Sequence, residues 1–154
     1  MKYLTILFAA LLFIACGGGG SESAANEETA PVEETAPKIN AAKMAQGGAV
    51  YKQYCIACHM ENGQGAAGLN PPLVDTKYVL GDKEALILIA LNGFNGEELE
   101  VKGEIYNGIM TPHDFLSDAE LANVLTYVRN SWGNEASEVT IEEVAEARAK
   151  NDGA

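Results

Sequence analysis

The stretch QYCIACHMENGQG places Cys55, Cys58 and His59 on a single turn of chain. On a helical turn, thiols three residues apart project to nearly the same side, so both could add to the two vinyl groups along one edge of a haem. A histidine four residues after the first thiol would then lie beneath the iron and could bind it through a ring nitrogen. Cys-x-x-Cys by itself also serves as a redox dithiol or as half of a zinc site. A thioredoxin-like dithiol wants a strand-to-helix junction in a βαβ setting, whereas CIACH follows GGAVYKQY, a short stretch of helical character. Zinc could recruit Cys55, Cys58 and His113. With Cys16 used elsewhere, however, the fourth ligand would have to be His59, whose adjacency to Cys58 strains a tetrahedron. Covalent haem is the strongest of the three readings, and zinc and dithiol stay open as alternatives.

These residues need elements to position them. DKEALILIALNG carries Asp82 as an N-cap, an apolar run from Ala85 to Leu91 and an Asn92-Gly93 stop, which predicts a short buried helix. SDAELANVLTYVRN opens with Ser117 and Glu120 at capping-box spacing and puts Leu121, Val124, Leu125 and Val128 on one face, which predicts an amphipathic helix. Between them, Leu99 to Val101 can pair with Glu104 to Tyr106 around Lys102-Gly103, a small hairpin that delivers Met110 into a loop. Trp132, just past the second helix, reads as a packing residue. In the last twenty residues, Thr140 and Glu143 again have capping-box spacing, which predicts a short appended helix that packs on the domain or faces a partner.

The beginning of the chain reads differently. Residues 1–15 combine Lys2 with an apolar run too short to span a bilayer comfortably, the pattern of a secretory signal. The run ends LFIAC, which resembles the lipobox of bacterial lipoproteins and implies lipidation at Cys16, although Phe13 stands where that pattern usually has leucine. Residues 16–46 read as the lipidated cysteine and a flexible acidic linker, rich in Gly, Ala, Glu, Thr and Pro and too poor in large apolar residues to fold. Such a tether spans roughly 30 Å. The expected organisation is therefore signal 1–15, anchor and linker 16–46, folded domain 47–134 and extension 135–154. Net charge is −12, with 11 acidic against 5 basic residues across 47–134, which disfavours nucleic acid. The acidity suits solubility or a docking face for a basic partner.

Residues 47–134 resemble the small class I c-type cytochromes, all-α folds wrapped around one covalent haem c. In that family a glycine eight residues before the first haem cysteine lets the first and last helices cross closely, and an aromatic packs four before it. Gly47 and Tyr51 hold those places, with Val124 and Tyr127 as their counterparts. The loop GQGAAGLNPPL matches the family's glycine-rich loop. The resemblance implies that the Pro71 carbonyl accepts a hydrogen bond from His59 and that Leu73 lies against the haem. It also implies that Met110, seven residues before the Ser117 cap, is the sixth ligand, with His113 as its competitor in the same loop.

The function so implied is electron transfer without a catalytic acid, base or nucleophile, by a monohaem lipoprotein held on the extracytoplasmic face of a membrane between a donor and an acceptor protein. The stretch from Val101 to Asn134 is also similar to cytochrome domains associated with periplasmic dehydrogenases and copper nitrite reductases, so a dedicated redox subunit is a variant. A haem enzyme or gas sensor with an open sixth position is the reading from another class, and a zinc adaptor is a third.

Overall fold

The computed structural model describes residues 39–95 and 98–151. The expected signal, the expected anchor at Cys16 and the expected linker as far as residue 38 lie outside them. Among the described residues, six helices and two small antiparallel ladders follow in order: α1 Ala41–Tyr54, α2 Ile56–His59, α3 Lys77–Leu80, α4 Lys83–Asn92, β1 Phe94–Asn95, β2 Leu99–Val101, β3 Glu104–Tyr106, β4 Ile109–Met110, α5 Asp118–Arg129 and α6 Ile141–Asn151.

The predicted caps are all in place. Asp82 accepts from the Ala85 amide, Ser117 and Glu120 form a complete capping box, and Thr140 and Glu143 exchange hydrogen bonds of 2.9 and 3.2 Å. The hairpin pairs Leu99 with Tyr106 and Val101 with Glu104, as expected. Two features correct the sequence reading. Helix α1 opens at Ala41, capped by Asn40, so the folded part begins ahead of the boundary drawn at Gly47. The small residues of AAKMAQGG look like linker in composition, yet Lys43 pairs with Glu138 at 2.8 Å and Gln46 bonds Asn123 at 2.9 Å, which fixes this first turn and a half to the body. Met110 does not sit in an open loop but in β4, paired with Phe94 of β1.

The scaffold centres on the crossing of α1 and α5. Gly47 lies in this contact, and a Cβ there would overlap the Asn123 carbonyl oxygen, so only glycine allows the approach. Beside it Tyr51 packs between Tyr127 and Trp132, with ring centroids 5.5 and 5.1 Å away. Leu86, Ile87, Ala90 and Leu91 of α4 share one buried cluster with Leu121, Val124, Leu125 and Val128 of α5, and α6 packs against both helices. The extension completes this core rather than projecting from it: Val139 and Val144 are fully buried, and Thr126 Oγ1 bonds both the carbonyl and the amide of Val139. The Arg129 guanidinium is buried as well. Its charge is dispersed over the carbonyls of Val79, Gly81 and Ser137, which ties α3, the α3–α4 turn and the extension to the end of α5.

Candidate functional site

Helix α2 is a single turn whose backbone sets the Cys-x-x-Cys-His geometry. The Cys58 and His59 amides both donate to the Cys55 carbonyl, at 3.2 and 2.9 Å, and Met60 leaves the helix with φ of 63°. Tyr51 anchors this exit, since its hydroxyl donates to the Met60 carbonyl at 2.7 Å. Burial raises the Tyr51 pKa far above the ordinary range, with Cys55 and Tyr127 adding to it, so the group remains a donor. Trp132 holds the next carbonyl, that of Glu61, through Nε1 at 3.0 Å. The packing role expected of this tryptophan therefore includes fastening the turn that follows His59.

His59 is restrained at three points. Its amide is held by Cys55, its carbonyl accepts from Gly65 at 3.1 Å, and its Nδ1 lies 3.2 Å from the Pro71 carbonyl oxygen. Burial pushes its pKa below the usual histidine value, opposed by the bond to Pro71 and reinforced by nearby His113. A neutral ring that donates from Nδ1 presents the lone pair of its other nitrogen, as a metal-binding histidine requires. The Pro71 segment is itself braced: Leu73 donates its amide to Gly63, and the side chain of Asn134 bonds the Leu73 carbonyl, the Val128 carbonyl and the Asp75 amide. Sequence reasoning missed Asn134, which in isolation resembles any polar residue after a helix.

Cys55, Cys58, His59, Pro71, Leu73 and Met110 all line one cleft, which runs between α4 and α5. Its remaining walls are largely apolar, supplied by core residues such as Leu86, Leu121 and Val128. Met110 is held in place by β1. Gly93, at φ of 72°, ends α4 and permits a close approach to the Met110 carbonyl that a Cβ would block. His113 lines the same cleft. Its amide bonds the Ala90 carbonyl at 3.0 Å, its ring lies 5.8 Å from that of Phe115, and its Nδ1 is sealed from solvent without a partner.

This arrangement suits a flat apolar macrocycle with an iron centre. Two cysteines stand at the wall for attachment, one imidazole is oriented for the metal, and a thioether and a second imidazole are within the same space. It suits the alternatives poorly. Burial, with Cys58 adding, pushes the Cys55 thiol up to about 11, the reverse of what a redox dithiol needs. Among the described residues no three His, Cys, Asp or Glu side chains converge as a metal-binding group.

Comparison with known proteins agrees with this geometry. The family model described as Cytochrome c matches residues 44–132. Cytochrome c-552 of Thermus thermophilus is 41% identical over 116 residues, covering 69% of this chain and 86% of that protein. The cytochrome c subunit of the quinone alcohol dehydrogenase of Gluconobacter oxydans is 30% identical over 108 residues, 67% of this chain but 22% of the subunit. The gluconate 2-dehydrogenase cytochrome c subunit of Pantoea cypripedii is 34% identical over 106 residues, 66% of this chain and 24% of the subunit.

Proposed function

The chain belongs to the cytochrome c family, and from that premise we propose a membrane-tethered carrier that passes single electrons between extracytoplasmic redox proteins, in which His59 and Met110 would ligate the iron of its one haem c. The coarser part, an electron carrier with covalent haem c, follows from the family. The finer part rests chiefly on one observation: both cysteines, His59 and Met110 line the same apolar cleft, while the Nδ1 of His59 is committed to the Pro71 carbonyl.

Bound there, the haem supplies a ferric–ferrous couple. The chain's own residues do the rest. Cys55 and Cys58 fix one edge of the macrocycle, and the His59–Pro71 hydrogen bond sets ring orientation and ligand basicity. As a ligand to the iron, the Met110 thioether would favour the ferrous state relative to a second nitrogen ligand and would leave small molecules no place to bind there. The apolar walls exclude water, which keeps the change of charge at each transfer from being answered by solvent. No residue is assigned a catalytic role. Export through residues 1–15 and lipidation of Cys16 complete the proposal, placing the domain on a tether outside the cytoplasm.

The two dehydrogenase subunits favour one variant, in which a dehydrogenase is the electron donor. A potentiometric titration of the purified protein tests the core of the reading. A single reversible one-electron transition with no change on addition of carbon monoxide is expected, whereas a ferrous protein that binds carbon monoxide readily would point to an open sixth position.

A further inference from the structure

Beyond Met110 the chain runs through Thr111–Leu116 into the cap of α5, and Thr111, His113 and Leu116 line the cleft beside the methionine. Ahead of Met110 the chain is secured by the β1 ladder. Behind it, the backbone bonds are the His113 amide to Ala90 and the Leu116 amide to His113. Two carbonyls of this connection are held from elsewhere, by a single side chain of α6. Arg148 donates from Nη1 to the Asp114 carbonyl at 2.8 Å, from Nη2 to the Leu116 carbonyl at 2.8 Å and from Nε to Asp118 Oδ1 at 2.9 Å. A planar guanidinium can meet three acceptors in this way; an ammonium cannot reproduce the fork.

Helix α6 does not depend on Arg148 for its own place. Val144 and Ala147 are buried in the core, Lys83 pairs with Glu143, Lys150 pairs with Glu84 at 2.8 Å, and the side chains of Asn92 and Asn151 bond each other at 2.9 Å. The helix is thus a fixed post from which one residue reaches the axial-ligand loop. It also lies outside residues 44–132, the part of the chain that the family model matches. We propose that Arg148 is a positioning residue for the sixth ligand: by holding the backbone at 114–116 and the first turn of α5, it fixes the connection that leaves β4 and so keeps Met110 at the wall of the cleft. This rests on the reading of Met110 as that ligand.

The test compares holoproteins carrying Arg148→Ala, Arg148→Lys and Lys150→Ala with wild type. Lys150→Ala removes another tie of α6, the pair with Glu84 of α4, and serves as the control. Two quantities are read: the weak far-red sulfur-to-iron band of the oxidised form, and the rate at which the ferrous form takes up carbon monoxide. Loss of a charged donor with three bonds should weaken the band and raise the carbon monoxide rate by about tenfold or more in Arg148→Ala. Arg148→Lys should fall between Arg148→Ala and wild type, and Lys150→Ala should match wild type. Equal effects of Arg148→Ala and Lys150→Ala, or no effect of Arg148→Ala and Arg148→Lys, would overturn the inference. A wild-type protein with no far-red band and free uptake of carbon monoxide would instead remove the methionine reading on which it stands.

Discussion

At the scale of single residues, the two cysteines and His59 do different work, and only the histidine depends on distant parts of the chain. Its Nδ1 is met by a carbonyl twelve residues on, and that carbonyl's loop is held by Asn134 from beyond the last helix of the crossing. Attachment chemistry, by contrast, is local. Replacing both thiols, as Cys55→Ser with Cys58→Ser, should abolish haem staining of the protein band after denaturing electrophoresis while wild type keeps its colour. Staining that persisted in the double variant would refute covalent attachment through these positions. Cys55, Cys58 and His59 were legible in the sequence because their spacing alone carries the chemistry. Asn134 and Arg148 were not, since their meaning lies in which carbonyls the fold brings to them, and no local pattern encodes that. His113 stands between the two cases: sequence flags it as a competitor, and the structure leaves its buried Nδ1 in the same cleft as Met110.

Among the elements, the capped helices and the hairpin around Lys102-Gly103 were readable, and the β1–β4 ladder was not. Asp82, Ser117 and Thr140 each sit where a side-chain oxygen meets an amide of the first helical turn, a signal written in adjacent residues. The β1–β4 pair is two residues long on each side, too short for any alternation, and so Met110 read as a loop residue. The first turns of α1 were hidden by composition, because Ala and Gly in AAKMAQGG suit a linker as well as a close helix crossing. The cap of α6 yields a pH prediction. Burial pushes Glu143 up, but hydrogen bonds from Lys83 and the Thr140 amide and the charges of Lys83 and Arg129 outweigh it, so its folded pKa lies below the ordinary 4.5. A depressed carboxyl stabilises the fold fully above that ordinary value and loses the contribution as pH falls through the folded one. Glu143→Gln keeps the cap but loses the charge pairing, and should therefore cost roughly 0.5 kcal/mol at pH 7. The gap to wild type should narrow below pH ~4. Thermal melts at pH 7 and pH 3 check this, and a gap unchanged with pH would count against an ionised Glu143 as the source.

For the whole molecule, a domain of this size buries little surface for its length, and a cleft through its core removes part of what it has. The fold is completed by an appended helix on one side and, in the cytochrome c family, by the haem on the other. Tethering is a separate matter. A chain beginning at residue 39, exported by another signal, retains the Asn40 cap and the Lys43–Glu138 pair and should be soluble with an unchanged haem spectrum. Failure to hold haem would assign residues 1–38 a part in the fold. The net charge of −12 was legible at once, but it says nothing about which face meets a partner. The central claim, that one haem is held between His59 and Met110 and only exchanges electrons, is met most directly by near-infrared absorbance of the oxidised protein beside its Met110→Ala and His113→Ala variants. The account predicts a weak far-red sulfur-to-iron band in wild type, retained in His113→Ala and absent from Met110→Ala, whose reduction potential should also fall. A wild-type spectrum without that band, altered by His113→Ala and indifferent to Met110→Ala, would contradict it.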